Sequence, residues 1–244
     1  PSDYKLTGNL FDFLGRFMVA ANPNIRDGMA NVYTGIIPIL MVPLFFAASK
    51  ETGIKLRHKI GMGLLLLIMY VSFTNRTLDF IWHGFHFPNQ IPFRQSFLMS
   101  FLIAFIGFKT IRVLKSFAPS QISAVFIGGA VFLILFEKFG TGNEGYIQIL
   151  VSLLFVIMEG IALHSVVTGK KSSGFYEILV SAFMAIEMLA SCCISVAFVA
   201  DNEGFPIYKS YAQNYDVVKN YADEVELIAG HKKFERTEIF PNNI

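Results

Sequence analysis

Apolar stretches approaching the roughly 17 to 25 residues that a helix needs to cross a bilayer recur along this chain, separated by short polar loops. About six can be drawn by hydrophobic patterning, at residues 30–49, 56–73, 96–113, 122–136, 146–167 and 175–200. The fourth is short. The third reaches spanning length only if Lys109 and Arg112 lie at its end and snorkel to the interface. Composition agrees: 54% of the 244 residues are hydrophobic and 16% charged, against about 25% charged in a soluble domain. Mean hydropathy is +0.53. The expected fold class is an all-α integral membrane protein.

Charge in the loops gives an orientation independent of hydropathy, because short cytoplasmic loops hold the excess of Lys and Arg. Lys50, Lys55, Arg57 and Lys59 follow the first run, Lys109, Arg112 and Lys115 the third, and Lys170 and Lys171 the fifth. These loops are expected inside. The loop after the second run has only Arg76 and Arg94, and the loop after the fourth only Lys138, so both are expected outside. The division that follows is an extracytoplasmic segment at 1–29, a transmembrane region at 30–200, and the beginning of an extracytoplasmic soluble domain at 201–244. Opening on Pro1 without a cleavable signal pattern, the chain is expected to be a fragment of a longer protein.

In the first segment Leu10, Phe13, Leu14, Phe17 and Met18 follow helical spacing, with Asp12 and Arg16 on the other side. That pattern suits an interfacial amphipathic helix or one packed on the rest of the chain. In the tail, residues 215–228 have helical periodicity and 232–240 that of a strand. Twenty basic residues against 18 acidic ones, with no Lys/Arg stripe among stacking aromatics, exclude nucleic acid as a partner. The vicinal Cys192 and Cys193 lie in an apolar run and read as packing residues, neither a disulfide nor a metal pair.

Chemistry concentrates in the loop 75–94, where Arg76, Asp79, His83, His86, Asn89 and Arg94 alternate with Trp82 and several Phe and Ile. Pro88 and Pro92 preclude a continuous helix there, so its backbone must be satisfied by protein or water, as in a cavity wall. Arg94 immediately precedes the third run. Its planar fork fits bidentate binding of a phosphate at headgroup depth, and equally an interfacial anchor for bulk lipid. His83 and His86 with Asp79 could bind a divalent metal or move protons, but two His and one Asp make no complete ligand set. Interfacial hydrogen bonding is the plainer role. Trp82 marks the interface or stacks on a sugar ring.

Within the runs, Glu159, His164 and Glu187 are costly unless paired, and an interhelical pair of Glu187 with His164 or Glu159 would satisfy them. Glu177, near a run's end, is expected in solvent. Ala124 and Gly128, four apart, suit close helix approach. No Gly-rich phosphate loop, HExxH, GxSxG or CxxC pattern occurs.

At Asn31-Val32-Tyr33-Thr34-Gly35, and above all at Ile81-Trp82-His83-Gly84-Phe85-His86-Phe87-Pro88-Asn89-Gln90-Ile91-Pro92-Phe93-Arg94-Gln95-Ser96-Phe97-Leu98, the chain resembles the YfhO family of bacterial membrane proteins. It departs from that pattern at Gln95 and at Arg26-Asp27. The resemblance implies a C-type glycosyltransferase-like bundle in the bacterial cell membrane, multi-pass, with its C-terminal tail outside. It further implies transfer of a sugar from an undecaprenyl-phosphate carrier to an envelope polymer such as teichoic acid. On that analogy Arg94, His83 and His86 meet the donor phosphate, and Asn31, Tyr33, Trp82 and Asn89 line the pocket. The catalytic base falls upstream of Pro1, with Asp79 the acidic candidate in this loop. A carrier that flips the lipid-linked sugar without chemistry is the competing class; inverted repeats would mark it, and none is visible.

Overall fold

The computed structural model describes residues 10–24, 28–74, 76–86, 92–139, 145–169, 173–203 and 215–229. Its elements are helical: α1 (Leu10–Gly15), α2 (Ile36–Ala47), α3 (Leu56–Thr74), α4 (Arg76–Trp82), α5 (Ser96–Ile111), α6 (Pro119–Phe139), α7 (Tyr146–Thr168), α8 (Ser173–Glu203) and α9 (Tyr215–Ala229). The chain divides into two units, Pro1–Val199 and Ala200–Ile244. In the second, α9 occupies the stretch whose periodicity predicts a helix; the strand expected at 232–240 lies outside the described residues.

The first unit is a multispanning helical membrane protein, with fewer full-length spans than the apolar runs suggest. Among the described residues four helices are long and apolar enough to cross a bilayer: Leu56–Thr74, Pro119–Phe139, Tyr146–Thr168 and Gly174–Ala200. Their outward faces are apolar, with Leu64, Leu67, Ile127, Ile134, Leu154, Ile161 and Leu189 all exposed, as lipid-facing surfaces are. The fourth run, short by hydropathy, is extended by polar residues at both ends to 21 residues. The other two runs give shorter helices.

The reasons differ. α5 has 16 residues, about 24 Å of rise, and then yields to a 3₁₀ turn at Leu114–Ser116. Lys109 lies 5.2 Å from the centre of the Phe105 ring and Arg112 5.8 Å from that of Phe108, so both charges fold back along the helix end. α2 has only 12 residues, about 18 Å, because residues 31–35 are not helical. Gly35 holds φ +93, a conformation open to glycine and strained for a side chain. Only after it does the helix begin.

Packing centres on two helix pairs, α2 with α5 and α6 with α7. The core joins Met18, Ile37, Met41, Leu44, Ile122, Phe126, Leu133, Phe136, Val156 and Leu163. The turn after α1 is drawn into this core through Met18 and Val19, and the Val19 N–H donates to Ser152 Oγ of α7 at 2.8 Å. Phe13 of α1 is buried in a second cluster with Met69 and Phe73, and Arg16 is buried as well. Close helix approach uses glycines other than the expected one. A Cβ on Gly107 of α5 would stand 2.9 Å from the Cα of Pro38, and one on Gly160 of α7 2.8 Å from the Phe126 ring. A Cβ on Gly128 would meet nothing within 4 Å, and Ala124 is exposed. Cys192 and Cys193 are free and exposed on α8 rather than packed.

α8 docks through a narrow stripe, Val180, Glu187 and Ser191, with Glu177 exposed and 3.3 Å from Lys115. Exposed pairs of this kind contribute little.

Because Gly107 faces backbone and Gly128 open space, Gly107→Val should destabilise the protein by about 1–3 kcal/mol while Gly128→Ala leaves it unchanged or slightly more stable. Thermal unfolding of both variants in detergent checks this contrast.

Candidate functional site

The loop after α3 folds around one buried carboxylate. α4 places Asp79 one turn ahead of His83, and Asp79 is 4% exposed. Its Oδ1 accepts from the backbone N–H of Phe93 at 3.2 Å and from Gln95 Nε2 at 3.3 Å. His83 Nδ1 lies 3.4 Å from the same oxygen and 2.8 Å from the backbone carbonyl of Asp79. A carbonyl only accepts, so Nδ1 carries the hydrogen and Nε2 of the neutral ring holds the lone pair. That Nε2 is buried and meets no hydrogen-bond partner. Gln95 Oε1 is likewise buried without a partner.

These bonds join the two sides of the loop. Phe93 and Gln95 flank Arg94, so Asp79 fixes the backbone from which the exposed guanidinium of Arg94 projects, just before α5. Backbone strain accompanies the arrangement: Phe85 has φ 63 and Phe93 φ 56, positive values uncommon for bulky residues and typical of tightly constrained sites. Trp82, itself exposed, donates Nε1–H to Ser72 Oγ on α3 at 3.0 Å. His86 is exposed.

Beneath this loop runs the segment before α2. Ala30 and Val32 pack in one cluster with Phe93, Phe73, Met69 and Met99, which brings the two polar regions side by side. The Asn31 side chain is held in a clamp: its Oδ1 accepts from Arg16 Nη2 at 2.6 Å and from Asn24 N–H at 3.0 Å, and its Nδ2 donates to Asn24 O at 2.8 Å. Tyr33 points elsewhere. Its hydroxyl donates to Glu187 Oε1, which also takes the Ile36 N–H at 2.8 Å. Glu187 therefore caps α2 from α8, and Glu159 of α7 stands within hydrogen-bonding reach of it. Of the two partners expected for Glu187, Glu159 is the one beside it, while His164 bonds Ser123 Oγ at 2.9 Å across a cleft of about 330 Å³ between α6 and α7.

Comparison with known protein families matches residues 2–243 to the family described as bacterial membrane protein YfhO. The chain belongs to that family. No curated protein and no solved structure matches it.

For this YfhO-family chain, the site residues expected from sequence separate into two places. Asp79, His83 and the base of Arg94 come together through Gln95 and the Phe93 amide. Asn31 and Tyr33 adjoin them through the Ala30–Val32 packing, yet their side chains serve Arg16 and Glu187. Asn89 lies outside the described residues. Sequence reasoning missed Arg16, whose charge suggested the solvent side of α1, and the bond from Gln95 to Asp79. Among the described residues no three His, Cys, Asp or Glu side chains gather at one point.

Asp79→Ala would strand the Phe93 N–H and the Gln95 amide together, while His83 Nδ1 keeps the backbone carbonyl of residue 79. We expect a loss of roughly 1–3 kcal/mol and faster proteolytic cleavage between α4 and α5, with Asp79→Asn milder because it keeps one acceptor oxygen. Thermal unfolding with mapped limited proteolysis reads both.

Proposed function

We propose that this protein is a membrane glycosyltransferase of the outer face of the bacterial cell membrane, moving a sugar from an undecaprenyl-phosphate carrier to an envelope polymer such as teichoic acid. Membership of the YfhO family and a multispanning helical architecture support the class. The observation that carries the reading is the Asp79 carboxylate, which ties His83 on one side of the loop to the residues flanking Arg94 on the other. One frame thus carries an exposed guanidinium for phosphate and an imidazole nitrogen without a partner.

In this reading the acceptor hydroxyl attacks the anomeric carbon of the carrier-linked sugar. The bond from that carbon to the phosphate oxygen breaks, and the carrier phosphate leaves with the electron pair. Arg94, forked and always charged, meets the phosphate as negative charge collects on it. The hydroxyl proton needs an acceptor within hydrogen-bonding distance, and Nε2 of His83 is the atom here with the lone pair for it. Asp79 orients the ring and stabilises the imidazolium that forms. That cation then adds its field to that of Arg94, as the departing phosphate requires. Asp79 is a positioning residue, and the exposed His86 and Trp82 beside this centre bound the sugar and carrier. The loop 75–94 and the tail from residue 201 lie on the extracytoplasmic side, where the positive-inside pattern of the other loops puts them.

Arg94→Ala in the full-length protein should abolish sugar transfer without lowering membrane abundance, and His83→Ala should slow it by roughly a hundredfold or more. The measurement is transfer of radiolabelled sugar from polyprenyl phosphate to polymer by purified protein. Near-wild-type transfer by Arg94→Ala would sink the assignment. Movement of the labelled lipid across a vesicle membrane with no transfer would make the protein a carrier instead.

A further inference from the structure

A second polar centre lies in the middle of the membrane region, apart from the loop around Asp79. Glu159 is 0% exposed and Glu187 1%. Glu159 stands 13 residues from Tyr146 at the start of α7, and Glu187 13 residues from Gly174, where the apolar span of α8 begins. At 1.5 Å per residue each is roughly 20 Å along its helix, near mid-bilayer.

The hydrogen bonding there is incomplete in one direction. Glu187 Oε1 is saturated by Tyr33 O–H and Ile36 N–H. Glu187 Oε2 and both oxygens of Glu159 meet no donor, although the two carboxyl groups are close enough to hydrogen-bond each other. Ionised carboxylates only accept. The other titratable group facing them is Tyr33, already donating, and no Arg, Lys or His among the described residues pairs with either carboxyl. The nearest histidine on α7, His164, is bonded to Ser123. The surroundings of Glu187 are apolar: a Cβ placed on Gly35 would be 3.5 Å from its Oε2, 3.5 Å from Pro38 and 3.6 Å from Met188 Sδ. Three buried carboxyl oxygens without a protein cation carry two like charges when both groups are ionised, and one positive charge between them replaces that repulsion with attraction.

We infer that Glu159 and Glu187, with the Tyr33 hydroxyl closing one side, form a buried site for a single monovalent cation, either a proton bridging the two carboxyl groups or a sodium ion in its place. The site joins three elements, the segment before α2, α7 and α8, so its occupancy decides whether α8 stays docked at the start of α2. Emptying it leaves two like charges facing each other with nothing to offset them. Replacing both by glutamine removes both charges and keeps hydrogen-bonding groups of nearly the same shape, so no repulsion is left for a cation to offset.

The test compares the full-length protein with Glu159→Gln/Glu187→Gln, in detergent, from mildly acidic to alkaline pH, with either sodium chloride or choline chloride. Melting temperature is one readout and labelling of Glu159 and Glu187 by a hydrophobic carbodiimide, which attacks protonated carboxyls, the other. If the site binds a proton alone, the wild type melts progressively lower than the double variant as pH rises in either salt, and labelling falls several-fold in parallel. If it also binds sodium, sodium but not choline restores the wild-type melting temperature at high pH and blocks labelling. Wild type and double variant melting in parallel across pH and salt would overturn the inference, whatever the labelling. The single variants Glu159→Gln and Glu187→Gln guard against misfolding of the double one: each halves the charge, so each should flatten the pH dependence. Sugar transfer is not read, so failure here leaves the proposed reaction standing.

Discussion

Glu187 takes the backbone N–H that opens α2 and the hydroxyl of Tyr33 on a single carboxyl oxygen, and much of the molecule follows from that contact. A helix beginning inside an apolar layer leaves its first amide hydrogens without partners, and water cannot reach them there. A carboxylate from a neighbouring helix is one of few groups able to answer several at once, and the positive end of the helix dipole favours it. Because the answer comes from α8, the longest and least buried of the four spanning helices is tied at its middle to the start of one of the shorter helices. The segment 31–35 can then remain non-helical where a helix would be expected.

The loop around Asp79 repeats the logic near the membrane surface. There too a carboxylate gathers backbone and side-chain donors from residues distant in sequence, the Phe93 amide and Gln95, and holds an irregular segment in one shape. The difference lies in what is left over. Around Asp79 the remainder is a nitrogen lone pair and an exposed guanidinium; around Glu187 it is carboxyl oxygen facing carboxyl oxygen. One is equipped to meet an anion and a hydroxyl, the other a cation.

How much of this was readable in the sequence depends on what hydropathy reports. It measures preference for an apolar medium and so found the runs, including the long helices α3, α7 and α8. It does not report backbone conformation, and for that reason residues 30–49 read as one span although the first third is not helical. The clue was Gly35 followed by Pro38, which hydropathy ignores. The i, i+4 spacing of Asp79 and His83 was visible and is the pairing found. The bond from Asp79 to Gln95 was not, since it closes a loop through prolines whose path no local pattern fixes. Arg16 illustrates the general limit: on a helical wheel a charge opposite the apolar face points to water, but α1 ends at Gly15 and the turn after it is buried, so the Arg16 guanidinium meets Asn31 instead.

The non-helical stretch before α2 also changes what one part of the membrane region is made of. Residues 31–35 are not helical, so their peptide groups are not tied into a ladder of bonds along one helix axis. Where the helix begins, its first amide is answered by another element, the Glu187 carboxyl of α8. At that level the wall is therefore not the smooth hydrocarbon cylinder that the rest of the bundle presents to lipid. It is a stretch where polar contacts, the Asn31 clamp and the Tyr33–Glu187 bond, stand on either side of the buried Val32, so that side chains of other elements set its conformation.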